Sequence, residues 1–188
     1  MSTLTPAGEK LLAAASTLFY RRGIRAVGVD LIAETAGTTK KTLYDRFGSK
    51  DALVALYLER RAAHWQEFLR EHMAGRPLVD VFDVLALWLA DQDRGCAFVN
   101  AYAEIGGTDH PAEPVIRAEK ETMRAYLVDL VRAAGLPDDV GVELHLLYEG
   151  ASVMATAGGV PEAPALAKGA AERLLSACGS APTGGGAG

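Results

Sequence analysis

Apolar residues recur every three or four positions along almost the whole chain, and no stretch alternates apolar with polar residues as a half-buried strand does. Leu11, Leu12, Ala15, Leu18 and Phe19 form one such stripe. This periodicity calls for an all-α fold. Thr5 can cap a first helix, and Pro6 suits its first turn, where a missing N–H does no harm. Gly23 ends it. A short second helix is expected over 29–36, with Leu31, Ile32 and Ala36 inward, and Gly37 supplies the left-handed residue that stops it. Thr39 then caps a third helix over 40–47. Gly48 breaks that helix, and Ser49 caps a long fourth one reaching residue 73. Glycine and proline punctuation sets five more, over 77–92, 96–105, 112–134, 138–156 and 161–178.

Bulk properties narrow the function. A chain of 188 residues, 49% hydrophobic and 23% charged, suits one domain or a small domain joined to a larger one. Its apolar runs fall far short of the roughly 18–20 residues a membrane span needs. The first residues lack the basic flank and apolar core of a secretory signal. Cys96 and Cys178 make no disulfide framework, so a reducing, cytoplasmic setting is expected. Cys96 follows Gly95 at a helix start, where an inert thiol is the simpler reading. His64, His72, His110 and His145 are scattered without ligand spacing, and no G-x-S-x-G, H-E-x-x-H or Gly-rich phosphate loop occurs. No metal, cofactor or enzyme activity is therefore expected. The alternative from another class is a helical-bundle enzyme acting on a small molecule.

Charge is uneven along the chain. Residues 1–50 carry eight Lys and Arg against four Asp and Glu; the remainder carries eleven against twenty. A basic end on an acidic body suits contact with a polyanion at that end. Within it, AGTTKKTLYDRFGSKDAL places two short helices around a glycine turn, which is the helix-turn-helix arrangement. Ala33 is small where the helices must approach, and Leu43 and Phe47 anchor the second helix. Lys40, Lys41, Thr42, Tyr44, Asp45 and Arg46 are then left to face outward. In such a motif the N-terminal residues of the second helix, here with Thr38 and Thr39 beside them, meet base edges, and flanking hydroxyls and amines hold phosphates. The plainer readings are that Tyr44 packs across its helix, that Lys41 is merely solvated and that Asp45 is a surface charge.

The run IAETAGTTKKTLYDRFGSKDAL resembles the N-terminal DNA-binding domain of TetR-family transcriptional regulators over residues 7–55. The family pattern has a small residue, Gly, two turn residues, T-L-Y, two polar residues, F, and S-K-x-x-L. The resemblance implies three DNA-binding helices followed by a larger helical body that binds a ligand and dimerises. It implies phosphate contacts for Thr42, Tyr44 and Lys50, and for Arg46 where the family often has His. It implies shared base and backbone contacts for Thr38, Thr39, Lys40 and Lys41. Two departures stand out. Gly28 replaces the usual Ser or Thr cap of the second helix, and Thr38 replaces a usual Val in the turn, which suggests a polar contact there.

The implied division is a DNA-binding domain over 1–50, a ligand-binding and dimerisation domain over 51–178 and a disordered tail over 179–188. Aromatic and polar residues within the body's apolar stripes are candidates for an effector site: Trp65, Phe68, Trp88, Phe98, Asn100, Tyr102, Tyr126, His145, Tyr148 and Glu149. Asn100 is the most suggestive, because a buried, unpaired amide costs about 1–3 kcal/mol. Ordinary core aromatics with internally satisfied polar groups are the alternative. The small-residue run 151–159 and the last helix are expected to pair with a second copy, which implies a near-palindromic duplex site. The expected protein is a ligand-responsive regulator acting as a homodimer on double-stranded DNA. Repression is the favoured sign, activation the alternative, and a partly apolar small molecule the effector.

Overall fold

A computed structural model of the chain describes residues 4–179. The tail read over 179–188 lies, from residue 180 onward, outside the described residues. Among the described residues there are helices and turns and no strand. The helices are α1 (Pro6–Arg22), α2 (Val29–Thr35), α3 (Lys40–Phe47), α4 (Lys50–Met73), α5 (Val81–Ala90), α6 (Ala97–Ile105), α7 (Glu113–Ala133), α8 (Asp138–Thr156) and α9 (Ala163–Gly179). The fifth helix is shorter than its sequence suggests. Residues Leu78–Asp80 form a 3-10 turn ahead of it, and Asp91 already leaves helical geometry behind it.

Capping chemistry sets the early boundaries. The Thr5 hydroxyl accepts from the Gly8 N–H at 3.3 Å, with Pro6 in the first turn of α1. Gly23, at φ 91°, closes that helix in a conformation costly for any residue with a Cβ. The Ser49 hydroxyl accepts from the Ala52 N–H at 3.0 Å and so starts α4.

The chain packs as two compact units. Among the described residues the first comprises 4–68 and 96–120, so α6 and the start of α7 belong with α1, α2, α3 and most of α4. Its core gathers Leu11, Leu12, Ala15, Phe19, Ile32, Leu43, Leu53, Val54 and Leu58 with Phe98, Ala101 and Ile105. This is a division by packing, distinct from the functional boundary read at residue 50.

Among the described residues the second unit comprises 69–95 and 121–179. There α8 and α9 pack on each other, and both pack on α5. Phe82, Leu85, Leu127, Leu144 and Ala171 are fully or almost fully buried. Gly141 of α8 lies against α7 so closely that a Cβ on it would sit 2.6 Å from the Val128 Cα. Lys168 of α9 donates to Asp80 at 2.8 Å and to Asp83 at 2.7 Å, and Arg76 donates to Asp80 at 2.9 Å. Hydrogen bonds from Lys168 and then Arg76 hold the Asp80 carboxyl below its ordinary pKa. No helix among the described residues is long and apolar enough to cross a membrane.

Candidate nucleic-acid interface

The turn between α2 and α3 is built from main-chain bonds. The Gly37 N–H donates to the Glu34 carbonyl at 3.0 Å and the Thr38 N–H to the Ala33 carbonyl at 2.9 Å. Gly37 holds φ 62°, which a glycine adopts without strain. Gly28, at the N-cap of α2, makes no side-chain cap bond, as its lack of a side chain requires.

Helix α3 is anchored by one face and open on the others. Leu43 is fully buried and Phe47 half-buried. Lys40, Lys41, Asp45 and Arg46 are exposed, and Tyr44 is 43% exposed. Thr39 starts the helix by accepting from the Thr42 N–H at 3.2 Å, and the two hydroxyls lie 2.9 Å apart. The open face thus presents amines, a guanidinium and a phenol near a helix N-terminus, groups that recognise base edges and phosphates.

Two of these cations have partners on the protein. Lys40 Nζ lies 3.1 Å from Asp30 of α2, and Lys41 Nζ lies 2.6 Å from Asp45 one turn on. All four side chains are at least half exposed, so each pair contributes little stability.

Lys50 has a partner within the protein. Its ammonium donates to the Ile24 carbonyl at 2.6 Å and lies 5.9 Å from the Phe19 ring. Burial lowers its pKa from the ordinary lysine value, opposed by the carboxylates of Asp51 and Glu104. It ties the start of α4 to the loop after α1, and a protonated amine bound this way still has two N–H groups to offer.

The Thr38 hydroxyl oxygen is buried and has no hydrogen-bond partner, so in this arrangement it makes no outward polar contact. A buried hydroxyl without a partner is unfavourable, and an isosteric methyl removes the penalty. Thr38→Val is therefore expected to raise unfolding stability by about 1 kcal/mol, measured by urea titration, and to leave duplex affinity unchanged. A loss of affinity would show that the hydroxyl turns outward when DNA binds.

The effector candidates are divided between the units. Trp65, Phe68, Phe98, Asn100 and Tyr102 belong to the first; Trp88, Tyr126, His145, Tyr148 and Glu149 belong to the second. Trp65 and Phe68 stack at 6.0 Å between centroids, and Phe98 is buried. Asn100 is half-buried and has an interaction partner, so its amide is not left unpaired. Tyr102 points out of the unit's core, 49% exposed. In the second unit Tyr148 is buried, Trp88 and Tyr126 are half-buried, and His145 Nε2 lies 3.4 Å from Glu149 Oε1. Burial raises the Tyr126 pKa. The second unit also carries an open cleft of about 600 Å³ lined by Ala86, Leu89, Arg94, Thr156, Pro161 and Pro164 among others. None of the ten candidates lines it.

One residue near the head escaped sequence reasoning. Glu104 of α6 accepts from the Ile24 N–H at 3.0 Å and from the Arg25 N–H at 2.8 Å. A carboxylate 80 residues from its partner, at the end of an apolar helix, carries no local signal of that contact.

A short capped helix, anchored by one leucine and open along a basic face, follows a glycine turn in an all-helical chain. These features define a helix-turn-helix DNA-binding protein. Residues 11–57 match the family model for bacterial regulatory proteins of the tetR family. The HTH-type transcriptional activator FasR of Mycolicibacterium smegmatis is 47% identical over 51 residues, which are 27% of this chain and 23% of that protein. The match to this curated relative therefore spans about a quarter of its length. Solved structures agree over far more of the chain. A TetR-type transcriptional regulator of Streptomyces avermitilis, sav143, superposes with TM-score 0.81 at 29% identity, covering 94% of this chain and 99% of that one. SCO4454, a TetR-family regulator of Streptomyces coelicolor, superposes with TM-score 0.80 at 26% identity, covering 92% and 95%. Residues 11–57 thus match the DNA-binding region of TetR-family regulators, and the chain as a whole shares the fold of that family's solved structures.

Proposed function

We propose that the protein works as a homodimeric, ligand-responsive repressor on a near-palindromic duplex site, with residues 1–50 as the reading head and 51–178 as the effector-binding and dimerising body. The observation that carries the reading is the open face of α3, where Lys40, Lys41, Tyr44 and Arg46 stand exposed over a buried Leu43. Lys40 and Thr39, at the start of α3, meet base edges; Lys41, Thr42, Tyr44, Arg46 and the free N–H groups of Lys50 hold phosphates. Dimerisation uses α8 and α9, whose Val142, Leu146, Val153, Met154 and Leu166 are exposed apolar side chains. The effector is a partly apolar small molecule held in the body, with Tyr126, His145, Tyr148 and Glu149 among its contacts. Its differential affinity for two positions of α4, the helix that leads out of the head, gives a coupling of about 1–3 kcal/mol. The work is binding rather than turnover, and it takes place in the cytoplasm.

Selection from a random duplex pool tests the reading. The expected result is an enriched site with two half-sites related by a two-fold axis, bound more weakly as salt rises. Arg46→Ala is expected to weaken all duplexes alike and to flatten the salt slope by about one. Lys40→Ala is expected to weaken binding and also to relax sequence preference, by about 1–3 kcal/mol at one base pair. Recovery of no enriched sequence, with binding indifferent to salt, would overturn the reading. Activation is the second reading, favoured by one observation: the mycobacterial relative matched over its head is an activator. A reporter gene downstream of the selected site separates the two signs.

A further inference from the structure

The loop between α1 and α2 is held from two sides by charged groups distant in sequence. From α6, both oxygens of Glu104 are used, Oε1 by the Ile24 N–H at 3.0 Å and Oε2 by the Arg25 N–H at 2.8 Å. From the start of α4, the Lys50 ammonium takes the Ile24 carbonyl at 2.6 Å. The N–H and C=O of one residue are thus both bound by side chains, from elements 26 and 80 positions away. Gly23 makes room for this. It sits at φ 91°, and a Cβ there would lie 2.9 Å from Glu104 Oε1. The side chain of Ile24 is buried in the core of the unit, so the loop cannot shift without moving that core contact as well.

We propose that Glu104 is a positioning residue for duplex recognition: its carboxylate, set across two consecutive backbone N–H groups, holds the loop that enters α2 and so sets the attitude of the α2–α3 pair. The physical basis is direct. Hydrogen bonds to an ionised acceptor are shorter and about twice as strong as neutral ones. Two on adjacent peptides fix the orientation of the loop as well as its place. Helix α2 starts five residues after Ile24 and packs on both α1 and α3, so the loop's attitude is passed on to the reading helix. Reading a base edge demands placement to within a fraction of an ångström, so a small tilt of α3 costs affinity while no DNA contact is lost.

The inference rests on the DNA-binding reading, and the test keeps their failures apart. The unaltered full chain is first titrated with a duplex it has selected from a random pool; if it binds none, the DNA-binding reading itself has failed. Glu104→Gln then keeps the side chain's size and one carbonyl acceptor but removes the charge and the second acceptor. It is expected to lower affinity about five- to tenfold with the salt slope unchanged, since no phosphate contact is lost. Amide exchange is expected to quicken at Ile24 and Arg25 while protection at Leu43 is retained. Gly23→Ala, which crowds the same carboxylate from the backbone side, is expected to act in the same direction. Unchanged affinity in Glu104→Gln overturns the proposal. So does a flattened salt slope, which would make Glu104 part of the contact surface. Loss of protection at Leu43, or unfolding of the chain, also overturns it by making Glu104 a general folding residue.

Discussion

Leu43→Ala is expected to abolish sequence-specific duplex binding and to remove about 2–5 kcal/mol of stability, read by urea unfolding and by titration with selected DNA. Leu43 is the one fully buried side chain of an eight-residue helix. A helix that short is marginal in water and keeps its shape through tertiary contact. Removing the isobutyl group withdraws that contact and leaves a cavity where α3 meets α1 and α2. The exposed lysines, tyrosine and arginine of α3 would then have no fixed platform. Lys41→Ala, two positions earlier and on the opposite, solvent-facing side of the helix, is the control and is expected to shift unfolding by less than about 0.5 kcal/mol. Retention of full duplex affinity in Leu43→Ala would show that α3 is held by something other than its single leucine.

Gly141→Ala is expected to destabilise the second unit by about 1–3 kcal/mol, through overpacking rather than loss of contact. The added methyl would lie 2.6 Å from the Val128 Cα and 2.9 Å from the Val128 nitrogen, both backbone atoms that cannot swing aside. Helices α7 and α8 would have to separate locally, pulling Leu127, Val131 and Leu144 out of register. Because α8 also carries the proposed dimer surface, sedimentation is expected to show weaker self-association. Gly150→Ala is the matched control. It lies on the same helix with open space where a Cβ would sit, and there alanine is expected to stabilise by up to about 1 kcal/mol through helix propensity. Similar effects from the two substitutions would remove close packing as the cause.

How much of the fold is legible in the chain falls off with the range of the interactions. The first four helices start and stop within a residue of where their caps and glycines place them, because Thr5, Gly23, Thr39, Gly48 and Ser49 act on backbone only a few positions away. The fifth helix is shorter than its punctuation predicts because proline and aspartate support a 3-10 turn as readily as the first turn of an α-helix. On α3, a period of about 3.6 was enough to separate buried Leu43 from exposed Lys40, Tyr44 and Arg46. What local pattern could not show is which distant group completes a site. The carbonyl that takes Lys50, the carboxylate that holds the loop after α1 and the burial of the Thr38 hydroxyl all depend on tertiary packing. The effector candidates, polar or aromatic residues on apolar stripes, meet the same limit. The stripe marks a core-facing side but not whether that side is a wall of a cavity.

The carboxylates beside the two leading lysines of α3 bear on how such a molecule searches a chromosome. Asp30 and Asp45 already satisfy Lys40 and Lys41 in the unbound protein, so a random stretch of DNA offers these amines an exchange of one anion for another. On the proposed reading, adhesion to wrong sequences would thereby be slightly weakened and residence there shortened. At the right sequence, acceptors on guanine can draw Lys40 away from its resting companion. Selectivity would then come partly from what the head declines to hold.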